Sequence, residues 1–223
     1  VPQLSSDARL LAITGPSGCG KSLMLAAALA EPALASKFQI VWFDASQYDA
    51  LDVGLWHLLV NGFGESVLPV GNLGADALAS ALRDISASYN LRGRHVALVL
   101  DDAVTLELVK TVTSAWTSSP GHCVAVTTRV LAPDELELGD VIDIRGLSPE
   151  HGRALLARSA SALDEQDLLS SLVNEVAGHP MVLSILDRFI SDFPERVVEA
   201  HSVVCATASD TSSDDDSTAA LCS

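Results

Sequence analysis

The chain has 223 residues, 48% of them hydrophobic, enough for one large domain or a domain plus a small helical appendage. Its 13 basic and 29 acidic residues leave a formal charge of −16, which argues against broad nucleic-acid binding. No apolar run reaches the length of a membrane span, and the first residues lack the basic start and apolar core of a signal peptide.

Leu10-Leu-Ala-Ile-Thr14 is a short apolar run that reads as a buried strand. Gly20 to Leu29 reads as a helix of strong helix formers, ended at Glu31-Pro32. Phe38 to Asp44 is β-rich and reads as the second strand. Asp52 to Leu59 reads as a short helix, capped by Asp52 or a nearby polar residue. Asn61 to Gly74 is rich in glycine and reads as a loop, and Asp76 to Tyr89 as an amphipathic helix. Arg92-Gly-Arg94 is a turn. His95 to Asp102 is a strand ended by two carboxylates, Val104 to Trp116 a helix, and Cys123 to Arg129 a strand tipped by an arginine. Val141 to Arg145 is a short final strand.

Alternation of strand and helix implies an α/β fold, a parallel sheet with helices on both faces. The pattern changes at Gly146-Leu-Ser-Pro-Glu150, where Ser148-Pro149 is an N-cap followed by proline at the first helical position. Helices are expected near Pro149–Ser161, Glu165–Ala177, Pro180–Ser191 and Pro194–His201, a small all-α bundle. The expected domains are 1–146, 147–203 and an acidic tail, 204–223. The tail run Ser209 to Ser217 has no hydrophobic periodicity. It is either a regulatory segment with phosphorylatable serines or a solvated, silent end.

Gly15-Pro-Ser-Gly-Cys-Gly-Lys-Ser22 satisfies the phosphate-loop pattern at every fixed position, between a strand and a helix. Such a turn points successive backbone N–H groups inward, and the helix N-terminus adds partial positive charge. Gly15, Pro16, Ser17, Gly18, Cys19, Gly20, Lys21, Ser22 and Leu23 form the expected phosphate-binding segment. Lys21 is expected to reach the β- and γ-phosphates and Ser22 to offer its hydroxyl to Mg²⁺. The competing reading is a chance Gly/Ser turn. The four apolar residues before Asp101-Asp102 match a Walker B strand. A strand next to the phosphate-loop strand would place Asp101 on the metal side and Asp102 as base or water-positioning group; alternatively both aspartates cap the next helix. Arg129 ends a strand expected beside the Walker B strand, where it either senses a γ-phosphate or pairs with a surface acid. Cys19, Cys123, Cys205 and Cys222 lack metal-ligand spacing, and a disulfide at Cys19 would obstruct the loop, so a reducing cytosol fits.

In this order the motifs resemble the NB-ARC branch of the STAND P-loop NTPases. Val-Leu-Asp-Asp102 looks like its Walker B segment and Val126-Thr-Thr-Arg129 like its "TTR" sensor. Leu147-Ser-Pro-Glu-His-Gly-Arg-Ala-Leu-Leu156 looks like the opening of its first helical domain, and Gly178-His-Pro-Met-Val-Leu183 like its "GLPL" motif, with His179 replacing leucine. The likeness runs from Leu10 to about Ile190. It implies Arg129 at the γ-phosphate, Pro180 near the adenine, and Phe38–Asp44 as the strand beside the phosphate-loop strand. Pro180 is equally readable as a helix-start proline. Val1 to Arg9 show no match to the family's base-binding segment, and its winged-helix, sensor and effector domains have no counterpart, so the resemblance implies a fragment or a shortened member.

The resemblance implies a cytoplasmic regulatory switch that binds ATP or ADP with Mg²⁺ and hydrolyses slowly. The expected catalytic residues are Lys21, Asp102 and Arg129, and the expected metal residues Ser22 and Asp101. Partners are nucleotide and, through flanking domains, further copies or other proteins. A small-molecule kinase and a nucleotide-binding scaffold without hydrolysis are the alternatives. ATP over GTP rests on the resemblance, since no guanine-reading N-K-x-D stretch is present.

Overall fold

The computed structural model describes residues 10–65, 73–131, 140–157, 166–193, 196, 198–199 and 201–204. The acidic run, the ends of the expected helices at Ser161 and Glu165, and part of the Pro194–His201 helix lie outside them. The chain divides into two compact units, one through Ile144 apart from Gly18–Gly20, the other holding that tripeptide and the chain from Arg145.

Five parallel strands form the sheet of the first unit: β1 (Leu10–Thr14), β2 (Gln39–Asp44), β3 (Val96–Asp101), β4 (Cys123–Thr127) and β5 (Asp140–Asp143). Their order across the sheet is β2-β3-β4-β1-β5. The α/β expectation is met, but two neighbour relations are not. β2 is an edge strand paired with β3, and β1 is flanked by β4 and β5. The Walker B strand β3 is likewise separated from β1 by β4. From β1 to β4 each strand is joined to the next by a helical crossover, which fixes direction but not how many strands it skips.

Alternation of side chains builds two cores on the sheet. Val96, Leu98 and Leu100 of β3 and Val124 and Val126 of β4 face one side, with α3 (Leu51–His57), α4 (Ala75–Leu91) and α5 (Leu106–Trp116). Ala97, Val99 and Ala125 face the other, beneath Leu25 and Leu29 of α1 (Lys21–Leu29). β3 is apolar on both faces because it is central and covered twice. β2 alternates instead: Val41 and Phe43 are buried, whereas Ile40 and Trp42 are half exposed at the edge.

Details differ from the sequence pattern. Pro32 ends no structure for long, because it opens a short helix, α2 (Pro32–Ala35), at its first turn. Asp52 does not cap α3; the residue before the helix is Ala50, and Asp52 sits in the first turn, accepting from the Val53 N–H at 2.9 Å. A π-turn, Leu58–Gly62, extends α3 into the expected loop and buries Leu58 and Leu59. The turn at Arg92–Arg94 is present, with Gly93 in the left-handed region.

The second unit holds α6 (Pro149–Leu156), α7 (Gln166–Glu175) and α8 (Pro180–Asp192), packed through Leu156, Leu172, Val173, Leu183 and Ile190. Ser148 caps α6 by accepting from the His151 N–H at 3.3 Å, with Pro149 next. Gly152 lets α6 approach α7, since a Cβ there would press on Val173. Gly178, at φ +67°, closes the α7–α8 turn against Leu147, whose N–H donates to its carbonyl at 2.8 Å. Any side chain at Gly178 would run into the Leu147 backbone.

Candidate functional site

Parallel register brings the C-terminal ends of the strands to one edge of the sheet, the usual place for ligands in open α/β folds. Thr14, Asp44, Asp101, Thr127 and Asp143 all end their strands there. The phosphate loop leaves β1 at this edge and enters α1 at Lys21. Gly20 has φ +95°, a conformation that disfavours any other residue. A Cβ built on it meets no described atom within 4 Å, so backbone geometry and not crowding demands the glycine.

Lys21 is buried at 7% exposure, and its ammonium donates to the carbonyls of Gly15 and Pro16 at 2.9 and 2.8 Å. The loop thus curls around its own cation. Ser22, at the start of α1, donates from Oγ to Asp101 Oδ1 at 2.6 Å. This contact crosses over β4, which separates the two parent strands. Adjacent strands lie about 4.8 Å apart, so β1 and β3 are roughly 10 Å apart. The forward reach of the loop and the small Thr127 at the tip of β4 let serine and aspartate meet.

Thr127, fully buried, occupies the middle of this edge. Its hydroxyl donates to Asp101 Oδ1 at 2.5 Å and accepts from the Asp102 N–H at 2.8 Å. Asp102 has φ +53°, an unusual conformation for a non-glycine residue, which the Thr127 hydroxyl helps to hold. The Asp102 side chain then turns to Arg129, whose Nε lies 3.2 Å from Oδ1. Arg129 stands two residues beyond the end of β4, not at its tip, and its side chain is 46% exposed. At the β2 end, hydrogen bonds from the Ser46 side chain and then its backbone hold the Asp44 carboxyl below its usual range. Thr14 Oγ1 donates to Asp143 at 3.1 Å on the far side.

Ser22, Asp101, Asp102 and Arg129 are therefore linked through Thr127 in one chain of contacts, with Lys21 next to Ser22 in sequence. Pro180 lies at the first position of α8, in the second unit. The sequence reading missed Thr127 and Trp42 as site residues. Thr127 lay inside the motif quoted for Arg129, whereas Trp42 carried no local signal. Neither Cys19 nor Cys123 forms a disulfide among the described residues, and burial pushes the Cys123 thiol up to about 11.

The residues fit a magnesium nucleotide. Mg²⁺ is ordinarily held by one or two carboxylates plus substrate phosphates and waters, and Ser22 with Asp101 supplies that sparse set. Among the described residues no cluster of three or more His, Cys, Asp or Glu offers an all-protein metal cage.

The fold and this edge define a P-loop NTPase. The NB-ARC domain family matches residues 2–165, and the chain belongs to it. No curated protein matches the sequence as a relative. Among solved structures, the Aeropyrum pernix ORC2 protein in ADPNP–ADP complexes aligns with TM-score 0.57 and 13% identity over 84% of this chain. A STAND protein with a tetratricopeptide repeat sensor from Pyrococcus horikoshii aligns with TM-score 0.53 and 18% identity over 79%. Drosophila ORC bound to DNA aligns with TM-score 0.56 and 13% identity over 92%. The chain spans 57%, 27% and 62% of those proteins, less than two thirds of each. At these identities the likeness is one of fold. Among the described residues no helix is long and apolar enough to cross a membrane.

Proposed function

We propose that this chain is the nucleotide module of a regulatory switch, binding ATP or ADP with Mg²⁺ and hydrolysing ATP slowly in the cytoplasm. The observation that carries it is the 2.6 Å contact between Ser22 and Asp101 beside the Asp102–Arg129 pair. In this reading the loop N–H groups and Lys21 take the phosphates. Ser22 and Asp101 hold Mg²⁺, whose charge offsets that of the β- and γ-phosphates. Asp102 orients the attacking water, and Arg129 exchanges its pairing with Asp102 for a γ-phosphate oxygen. Residues 1–146 form the nucleotide domain and 147–203 a helical domain whose rearrangement follows nucleotide state, with Pro180 near the base. The output is assembly with further copies or protein partners. DNA, which one structural neighbour binds, is not proposed as a ligand, given the −16 charge.

The identity of the co-purifying nucleotide is the first test, and paired substitutions are the second. Asp101→Ala is expected to remove the Mg²⁺ dependence of ATP affinity. Asp102→Ala is expected to keep binding and slow hydrolysis. Identical behaviour of the two variants in calorimetry and phosphate release would overturn this division of roles.

A further inference from the structure

The Asp101 carboxylate is held from both neighbouring strands. On one side Thr127 of β4, together with Ser22, donates to Oδ1. On the other, Trp42 of the edge strand β2 donates its indole N–H to Oδ2 at 3.2 Å. Side-chain parity makes this possible. Val41 and Phe43 enter the core opposite α1, so Trp42 emerges on the α1 face, where Asp101 and Thr127 also point.

We propose that Trp42 is a positioning residue for Asp101, fixing which carboxylate oxygen is presented beside Ser22. The inference rests on the magnesium-nucleotide reading of this edge. A carboxylate torsion is broad and nearly two-fold, so hydrogen bonds to one oxygen leave the group free to tilt. The indole N–H is a donor only and has one thing to offer here, an anchor on the second oxygen. Packing alone accounts poorly for the residue: Trp42 remains 39% exposed at a sheet edge, as does Ile40 two residues earlier. Trp42 and Ile40 share a face and an exposure, but only Trp42 carries a polar atom that reaches the site.

Trp42→Phe keeps an aromatic ring and deletes the N–H. ATP affinity is measured by calorimetry with Mg²⁺ and with EDTA, for wild type and variant. The expected result is a loss of about threefold to tenfold in the presence of Mg²⁺ and none in EDTA. A spectroscopic arm accompanies it. Mg²⁺ added to the ATP-loaded wild type is expected to change indole emission, and Trp42→Phe, which retains Trp56 and Trp116, to lose that change. Asp101→Asn, with all three tryptophans in place, should lose it too, which keeps the test open if Trp42→Phe folds poorly. Equal Mg²⁺ enhancement in variant and wild type would overturn the role of Trp42 and leave the magnesium site standing. Parallel losses with Mg²⁺ and with EDTA would make Trp42 a packing residue and overturn the proposal. A wild type that binds no ATP would overturn the nucleotide reading and this inference together.

Discussion

Strand β3 begins and ends in polar clusters of opposite character. At its start the Val96 N–H donates to His122 Nδ1 at 3.1 Å, and His122 Nε2 meets the Ser86 carbonyl at 3.0 Å. Ser86 in turn donates from Oγ to the Trp116 carbonyl at 2.7 Å. An N–H donor on one nitrogen fixes the tautomer: Nδ1 accepts, so Nε2 carries the proton. His122 is 4% exposed, Ser86 and Trp116 are fully buried, and the Trp116 and His122 ring centroids lie 5.1 Å apart. Both His122 ring nitrogens and the Ser86 hydroxyl are satisfied by protein, and the buried Trp116 indole N–H is the exception. At the other end Asp101 also collects several donors, but its neighbours Asp102 and Arg129 are about one third and one half exposed. The first cluster is closed and holds α4 to the sheet; the second is open and can exchange partners with a ligand. Polar groups at a strand end are therefore no sign of function by themselves. Exposure of the last members of the network separates the two cases.

The sharpest break of this comparison is Lys21→Ala. The open end should lose nucleotide while the closed end keeps the fold. ATP affinity is expected to fall by about a hundredfold or more, since a buried charge-assisted contact to phosphate is removed. The melting temperature is expected to shift by only a few degrees, through loss of the Gly15 and Pro16 contacts. Unchanged ATP affinity in a folded variant would remove the phosphate-loop assignment.

Arg129→Ala sharpens it with a smaller effect. Its pairing with Asp102 is half exposed and contributes little to stability. If Arg129 turns to a γ-phosphate, ATP affinity should fall by about tenfold to a hundredfold while ADP affinity holds. Paired titrations of both nucleotides decide the matter. Equal losses for ATP and ADP would leave Arg129 a structural partner of Asp102.

How much of this was legible in the chain follows from where the information lies. The loop is written in eight consecutive residues, Gly15 to Ser22, and local apolar patterning marks the strand before it and the helix after it. The same holds for Ser148-Pro149 at the start of α6. Sheet order is not local, and the expected adjacency of β1 and β2 failed because a crossover of given length can skip strands. Trp42 lies 59 residues from Asp101, and nothing in Ile-Val-Trp-Phe distinguishes its polar reach from Ile40. His122 was invisible for the converse reason: a lone histidine before a buried strand reads the same whether it faces water or closes a core.

The smallest expected effect belongs to that histidine. Burial, foremost, and the neighbouring His95 pull the His122 pKa down, against the opposing pull of the hydrogen bond to the Ser86 carbonyl. The ordinary value, about 6.5, applies in the unfolded chain. On acidification the unfolded state therefore takes up the proton first, and stability drops. The His122 contribution is fully present above the ordinary histidine range and is lost as pH falls through the lower folded-state value. Protonation would also turn Nδ1 from acceptor to donor and set it against the Val96 N–H. His122→Asn keeps a side-chain acceptor for Val96 but cannot titrate. Urea melts from pH 8 to pH 5 should show a shallower loss of stability in His122→Asn than in wild type, on a baseline lowered by about 1–3 kcal/mol for the unpaired Ser86 carbonyl. ATP affinity of the variant at pH 8 should match wild type, because the open end of β3 is untouched. Parallel pH slopes in variant and wild type would show that the acid sensitivity arises elsewhere, and a loss of ATP affinity would show that the two ends of β3 are not independent.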